Sequence, residues 1–160
     1  MGMFERVAEM NTLFGNSHGA AWQRSDPFEK IPFVVKCIRS EVVELETALL
    51  NSDLDKALDG VRDGLCDILV FALGAFHDLG IDANRDMDVV VDAVLTRFCK
   101  DEQSLIATCA KYDALGVRYY AEGTYPYVCL KSAEDQGDEY PKGKFLKAVG
   151  YKTPTFEAVP

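Results

Sequence analysis

The sequence lacks any apolar stretch approaching the roughly 18 residues that a membrane span requires. Its start, Met1-Gly2-Met3-Phe4-Glu5-Arg6, has no basic region followed by a short apolar run. A soluble, cytoplasmic protein with no membrane partner is therefore expected. Positive charge is also short, with 17 Lys and Arg against 26 Asp and Glu and a formal charge of −9. That balance opposes general affinity for nucleic acid, which needs clustered cations to neutralise phosphates, although an acidic chain can still hold a phosphate ligand through bound metal. The five cysteines, Cys37, Cys66, Cys99, Cys109 and Cys129, are odd in number and form no Cys-x-x-Cys pair. They argue against a disulfide framework or a zinc site and read as reduced thiols in or near the core.

What is present suits one globular domain with room for a small appendage: 160 residues, 48% apolar and 27% charged. A first helix reads from Phe4 to Leu13, followed by a loop from Gly15 to Ser25 that Trp22 could anchor. Asp26-Pro27 resembles an N-cap with proline at the first helical position, opening a second helix toward Leu50, with Pro32 as a kink or a later start. After an Asn51-Ser52-Asp53 turn, Asp55 to Leu79 reads as the central helix, closed by Gly80. These two long helices predict an antiparallel hairpin. Further helices fit Arg85 to Cys99 and Glu102 to Leu115, the latter ended by Gly116. Beyond Gly116, Tyr119, Tyr120, Tyr125 and Tyr127 with Gly123 and Pro126 suit extended chain or a hairpin, and the tail from Lys131 is rich in lysine. The expected fold is all-α: a helical bundle over residues 1–116 with an extended, Tyr- and Lys-rich extension over residues 117–160, packed on the same domain or a neighbouring subunit.

The most informative stretch is Asp63-Gly64-Leu65-Cys66-Asp67-Ile68-Leu69-Val70-Phe71-Ala72-Leu73-Gly74-Ala75-Phe76, whose only charge after Asp63 is Asp67. A helix apolar on most faces is expected to be buried, where a carboxylate needs a partner or a metal. Asp63 lies one turn before Asp67 on the same face. On the preceding helix Glu41 and Glu44 stand at i and i+3, and across an antiparallel hairpin they can face Asp63 and Asp67. Four carboxylates without histidine make an oxygen-only set suited to Mg²⁺ or Mn²⁺ and to metal-assisted phosphate-ester chemistry. The plainer readings are a solvated Glu-x-x-Glu face and an Asp67 paired with Arg39 or Arg62.

The Glu41-x-x-Glu44 pair, followed by Asp63-Gly64-Leu65-Cys66-Asp67 in an apolar helix that ends Leu79-Gly80-Ile81-Asp82, resembles the MazG-like, all-α nucleoside triphosphate pyrophosphohydrolase superfamily, in particular its small phage-type members. The resemblance covers roughly Phe4 to Lys100. It implies paired helices holding Mg²⁺ through Glu41, Glu44, Asp63 and Asp67, with those residues as the catalytic set. It implies hydrolysis of a (deoxy)nucleoside triphosphate at the α-phosphate to monophosphate and pyrophosphate, a homodimer or homotetramer with sites near subunit contacts, and, for a phage protein, action in the host cytoplasm. The family's second motif is usually Glu-x-x-Asp. Here Gly64 stands at the glutamate position and Asp63 is the substitute, which leaves the number of metal ions open.

Family members also carry Asn and Lys on the following helix to hold phosphates; here Arg97 and Lys100 are the corresponding cations and the Asn is missing. The plainer reading makes them surface cations favouring a helix end. Lys144 belongs to a basic tail segment, Tyr140-Pro141-Lys142-Gly143-Lys144-Phe145-Leu146-Lys147, for which substrate contact, docking on a neighbouring subunit and simple solvation are all open. Asn11, Asn16, His18 and Trp22 lie where related enzymes often read the base, Asn16 being taken as a substrate ligand, though turn chemistry explains them as well. His77 is expected to interact with carbonyls at its own helix end. Two alternatives stand beside the leading one: phosphoribosyl-ATP pyrophosphohydrolase activity, and a non-catalytic helical module that binds nucleotides or a partner. A di-iron bundle would need Glu-x-x-His pairs, and neither His18 nor His77 lies in a motif.

Overall fold

The computed structural model describes residues 1–158. They form two compact units, residues 1–86 and residues 87–157. The division falls at Asp86, earlier than the Gly116 boundary expected from composition. It passes through a helix, so the composition change at Val117 marks the start of a hairpin inside the second unit.

The first unit is helical. α1 spans Met3–Leu13, α2 Ile31–Ala48 and α3 Leu54–Asp78, with a short 3₁₀ turn at Ala20–Gln23. α2 starts later than Asp26-Pro27 predicts. The Asp26 carboxylate instead accepts from the Phe28 amide at 2.8 Å, closing a local Asx turn, and Pro32 lies in the true first turn. α3 begins at Leu54, one residue before the expected Asp55: Asp53, expected in the turn, caps it by accepting from the amides of Asp55 and Lys56. It ends at Gly80, whose φ of 69° is the left-handed conformation that lets the chain leave the helix.

α2 and α3 pack antiparallel, in a register set by two glycines. A Cβ on Gly60 would lie 2.7 Å from the Ala48 Cβ, and one on Gly64 would lie 3.4 Å from both the Glu41 carbonyl oxygen and the Leu45 Cβ. As α3 advances from residue 60 to 64, α2 runs back from 48 to 41. α1 packs on α3 near Gly74, where the Asn11 side chain would be 3.3 Å from an added Cβ. The loop after α1 is tied to the end of α3: the Trp22 indole donates to the Leu79 carbonyl at 2.7 Å, as expected of an anchor. The His77 ring nitrogen meets the Asn16 carbonyl at 3.0 Å, so it serves the loop and not the carbonyls of its own helix.

α4, Ala83–Leu95, spans the division between the units. The second unit continues with α5, Glu102–Ala114, and the antiparallel strands β1, Tyr119–Glu122, and β2, Cys129–Ser132. α4 stops before the expected Cys99, because the Cys99 amide donates to the Val128 carbonyl at 2.7 Å instead of continuing the helix. Asp101 and Ser104 form a reciprocal capping box that opens α5, and Gly116, at φ 68°, follows its end. Tyr112, Val117, Leu130 and Leu146 make one core cluster of this unit, and Cys99, Val128 and Ala148 make a second. The fold is thus mostly helical, and the small sheet corrects the all-α expectation.

No single helix among the described residues is long and apolar enough to cross a membrane.

Candidate functional site

The register of the hairpin brings Glu41 beside Gly64, and hence near Asp63 and Asp67. The Glu41 carboxyl is held above the usual range, first by loss of water and then by the negative charges of Glu44, Asp67 and Asp63. The other three predicted carboxylates therefore lie close enough to act on Glu41. Among the described residues, no hydrogen bond or ion pair involves any of these four side chains. The structural pairing considered for Asp67 is not formed: Arg62 turns to Asp59 at 3.8 Å, and Arg39 is exposed.

Two expectations need correction. Asp67 is half-buried and Asp63 and Glu44 are exposed, because in one chain α3 is not surrounded: Leu58, Leu65 and Leu69 on it are 49%, 51% and 42% exposed. The desolvation inferred for Asp67 from its apolar neighbours is thus incomplete. In addition, among the described residues no three His, Cys, Asp or Glu side chains converge closely enough to hold a metal ion. The donors are the oxygens that suit Mg²⁺ or Mn²⁺. As placed, they form a charged cluster and not a coordination sphere.

Gly64 stands where the resemblance to the Glu-x-x-Asp pattern would place a glutamate. It is buried against α2, and a side chain longer than a methyl would meet the α2 backbone at Glu41. The neighbouring Asp63 carries its carboxylate clear of that contact.

Next to the carboxylates lies a cleft of about 760 Å³ lined by all three helices of the unit. Phe33 and Val34 wall it from α2, and Phe71 and Gly74 from α3. Val34 is seven residues before Glu41; Phe71 and Gly74 are four and seven after Asp67. These are same-face spacings, so the cleft and the carboxylates share one side of the hairpin, about 6 to 10 Å apart along the helices at 1.5 Å per residue. Sequence reasoning missed Phe33, Val34 and Phe71, although the i+4 and i+7 offsets from the acidic motifs were there to be read.

The polar end of the cleft is built by Asn11, Asn16, Lys30 and Asp78. The Asn16 amide donates to the Asn11 side chain at 3.4 Å and its side-chain oxygen accepts from Lys30 at 3.5 Å. Asp78 sits at the C-terminal end of α3, where the helix dipole disfavours a carboxylate. Burial would push its pKa up, but a two-armed Arg24 guanidinium and Lys30, at 3.4 Å, hold it below the usual range.

The predicted cations Arg97, Lys100 and Lys144 belong to the second unit. Arg97 and Lys144 line one small cavity there; Lys100 is exposed after Cys99 and is not part of that lining.

Comparison of the chain with family models, with curated proteins and with solved structures returns no match. The likeness to the MazG-like superfamily accordingly rests on the residues named above.

Proposed function

We propose that this protein is a Mg²⁺-dependent pyrophosphohydrolase that converts a nucleoside triphosphate to the monophosphate and pyrophosphate. The observation that carries the reading is the cluster of Glu41, Glu44, Asp63 and Asp67 with no ion pair to neutralise it among the described residues, beside a cleft with apolar walls and a polar end. Uncompensated like charges raise the energy of the folded state, and a bound divalent cation with its anionic substrate removes that cost.

In this reading Glu41, Glu44, Asp63 and Asp67 would hold Mg²⁺, which would supply charge neutralisation of the triphosphate and a more acidic water. Phe33, Val34 and Phe71 take the face of the base, and Asn11 and Asn16 offer donors and acceptors to its edge. Half-buried Glu41, whose carboxyl is held above the usual range, is the candidate to orient or deprotonate the attacking water. No side-chain nucleophile is needed, because positioning and charge stabilisation suffice for phosphoryl chemistry.

The working form is a homo-oligomer acting in the cytoplasm. α2 buries no residue in the single chain, and Val43, Leu49, Leu50 and Leu65 are more than half exposed. Apolar surface of that extent on one hairpin marks a contact face, and covering it would complete the desolvation of Asp67.

The test is pyrophosphate release from a panel of ribo- and deoxyribonucleoside triphosphates, with Mg²⁺ and with chelator, for the wild type and Asp67→Asn. Chelator-sensitive release that Asp67→Asn abolishes is expected; no release from any substrate by the folded protein sinks the reading. The lack of three converging ligands favours one rival, a module that binds nucleotide without turnover. It predicts binding in the same panel and no product.

A further inference from the structure

We infer that the second unit carries its own binding site for a small phosphate-bearing anion, in the cavity walled by Arg97, Lys111, Lys144 and Lys147. It is independent of the carboxylate reading, because every residue in it lies between 87 and 157. The cavity has a volume of about 240 Å³ and includes a single carboxylate, Glu139, against those four cations. The unit as a whole has nine Lys and Arg against eleven Asp and Glu, so a local excess of positive charge is not its background. Bringing four cations round one hollow costs mutual repulsion, which an oxyanion relieves.

The cations are positioned by their surroundings. The Arg97 guanidinium lies over the rings of Phe145 and Tyr151, at 5.7 and 5.4 Å, and donates to the Phe145 carbonyl at 3.0 Å. Its Nε is buried and has no hydrogen-bond partner. Lys111 donates to the Lys147 carbonyl at 3.1 Å, and Lys144 to the Glu139 carbonyl at 2.6 Å. An ammonium has three donors and a guanidinium five, so each of these groups keeps donors to spare. The wall between them is rigid. The Tyr112 hydroxyl donates to the Lys147 carbonyl at 3.0 Å and accepts from the Lys147 amide at 2.9 Å, and its ring meets Tyr140 edge-on at 6.2 Å.

Volume selects the ligand. The hollow has the room of roughly eight waters. That is less than the roughly 300–1,000 Å³ of sites for drug-sized molecules, and it suits phosphate or pyrophosphate better than a whole nucleotide or a nucleic-acid strand. The chemistry is charge-assisted hydrogen bonding to phosphoryl oxygens, with Arg97 as the planar fork.

The experiment is calorimetric titration of the full chain with pyrophosphate in excess chelator, which removes metal-bridged binding to Glu41, Glu44, Asp63 and Asp67. One equivalent should bind, more weakly as salt is raised. The double variant Lys111→Gln/Lys144→Gln, with near-wild-type circular dichroism, should weaken binding fivefold or more, while Glu41→Gln should leave it unchanged. Parallel titrations with inorganic phosphate and a nucleoside monophosphate distinguish a free anion from an ester phosphate as the ligand. No binding by the wild type under chelation, a smaller loss in the double variant, or displacement of pyrophosphate by a single-stranded oligonucleotide that binds more tightly overturns the inference. Because metal and carboxylates play no part in this titration, its failure leaves the hydrolase reading standing, and the converse also holds.

Discussion

Replacing Gly60 with alanine should destabilise the protein even though alanine is the better helix former. In a helix interior the exchange would by itself contribute about 1 kcal/mol in favour of folding. At this position the new methyl would lie 2.7 Å from the Ala48 Cβ, and neither atom is at the end of a flexible side chain. The two helices must then move apart, and overpacking of this kind costs roughly 1–3 kcal/mol, so the net effect should be a loss of up to about 2 kcal/mol. Gly64→Ala is the control. Its methyl would stand 3.4 Å from the Glu41 carbonyl oxygen and the Leu45 Cβ, an ordinary contact. Most of the propensity gain should survive there, making that variant neutral or more stable by up to about 1 kcal/mol. Urea unfolding followed by circular dichroism at unchanged m-value reads both. Adding Ala48→Gly should recover stability in the Gly60→Ala background and not in the Gly64→Ala one. If Gly60→Ala proves as stabilising as Gly64→Ala, the register is wrong, and the placement of Glu41 beside Asp63 and Asp67 goes with it. Gly64→Glu extends the test to function: it rebuilds the Glu-x-x-Asp pattern yet should unfold the hairpin, since its carboxylate would be driven against the backbone of α2.

Four further outcomes follow from the charges and the exposed face. Asp67→Asn should raise the melting temperature in chelator while abolishing pyrophosphate release, because it removes one of the charges that hold the Glu41 carboxyl up; a lower melting temperature would make Asp67 structural. The raised Glu41 means that the native state holds its proton longer than the unfolded chain, so metal-free stability should fall as pH rises above about 4.5. Added Mg²⁺ should reverse that fall, and a flat profile in thermal melts from pH 4 to 7 would contradict it. Asp78 has the opposite sign: its carboxyl is lowered, so its contribution is present above the ordinary carboxylate range and is lost as pH drops through its native value. An Asp78→Asn variant should therefore show a shallower loss of stability with acid than the wild type, and equal slopes would refute the pairing with Arg24 and Lys30. Leu65→Asp/Leu69→Asp, on the exposed side of α3, should convert an oligomer to monomer in light scattering, a result excluded from the start if the wild type is already monomeric.

Local chemistry made some of this legible and left other parts hidden. Asp53 and Gly80 bound α3 where the sequence places them, because a carboxylate that caps amides and a glycine at positive φ act within a few residues. The same holds for the end of α5 at Gly116. Asp26-Pro27 misled for a related reason: an Asx turn and a helix N-cap use the same carboxylate-to-amide bond, and only the later course of the chain separates them. The end of α4 and the division at Asp86 were not legible, since they depend on Cys99 meeting Val128 and on Tyr112 meeting Leu130 and Leu146, partners distant in sequence. The site shows both cases. The i, i+3 and i, i+4 offsets of Glu41, Glu44, Asp63 and Asp67 could be read directly, but the reason for Gly64 appears only when α2 lies against it.

The first unit treats its carboxylates in two ways, and the contrast bears on function. Asp78, 8% exposed, is met by Arg24 and Lys30, so this chain can neutralise a buried acid where the fold needs one. Glu41 and Asp67, half-buried on facing helices, receive no such partner, although Arg39 is two residues from Glu41 and Arg62 is one from Asp63. If the four acids were only a solvated face, rotation of Arg62 toward Asp63 or Asp67 would cost little, and the guanidinium lies over Asp59 instead. An unneutralised cluster lowers the stability of the empty protein and gains only when a cation arrives. Departure from local charge balance in one place, beside careful balance a few turns away, is the pattern expected of a binding site. A measured rise in melting temperature on adding Mg²⁺, absent in Asp67→Asn, would give that pattern its thermodynamic content; no rise in the wild type would reduce the cluster to surface charge.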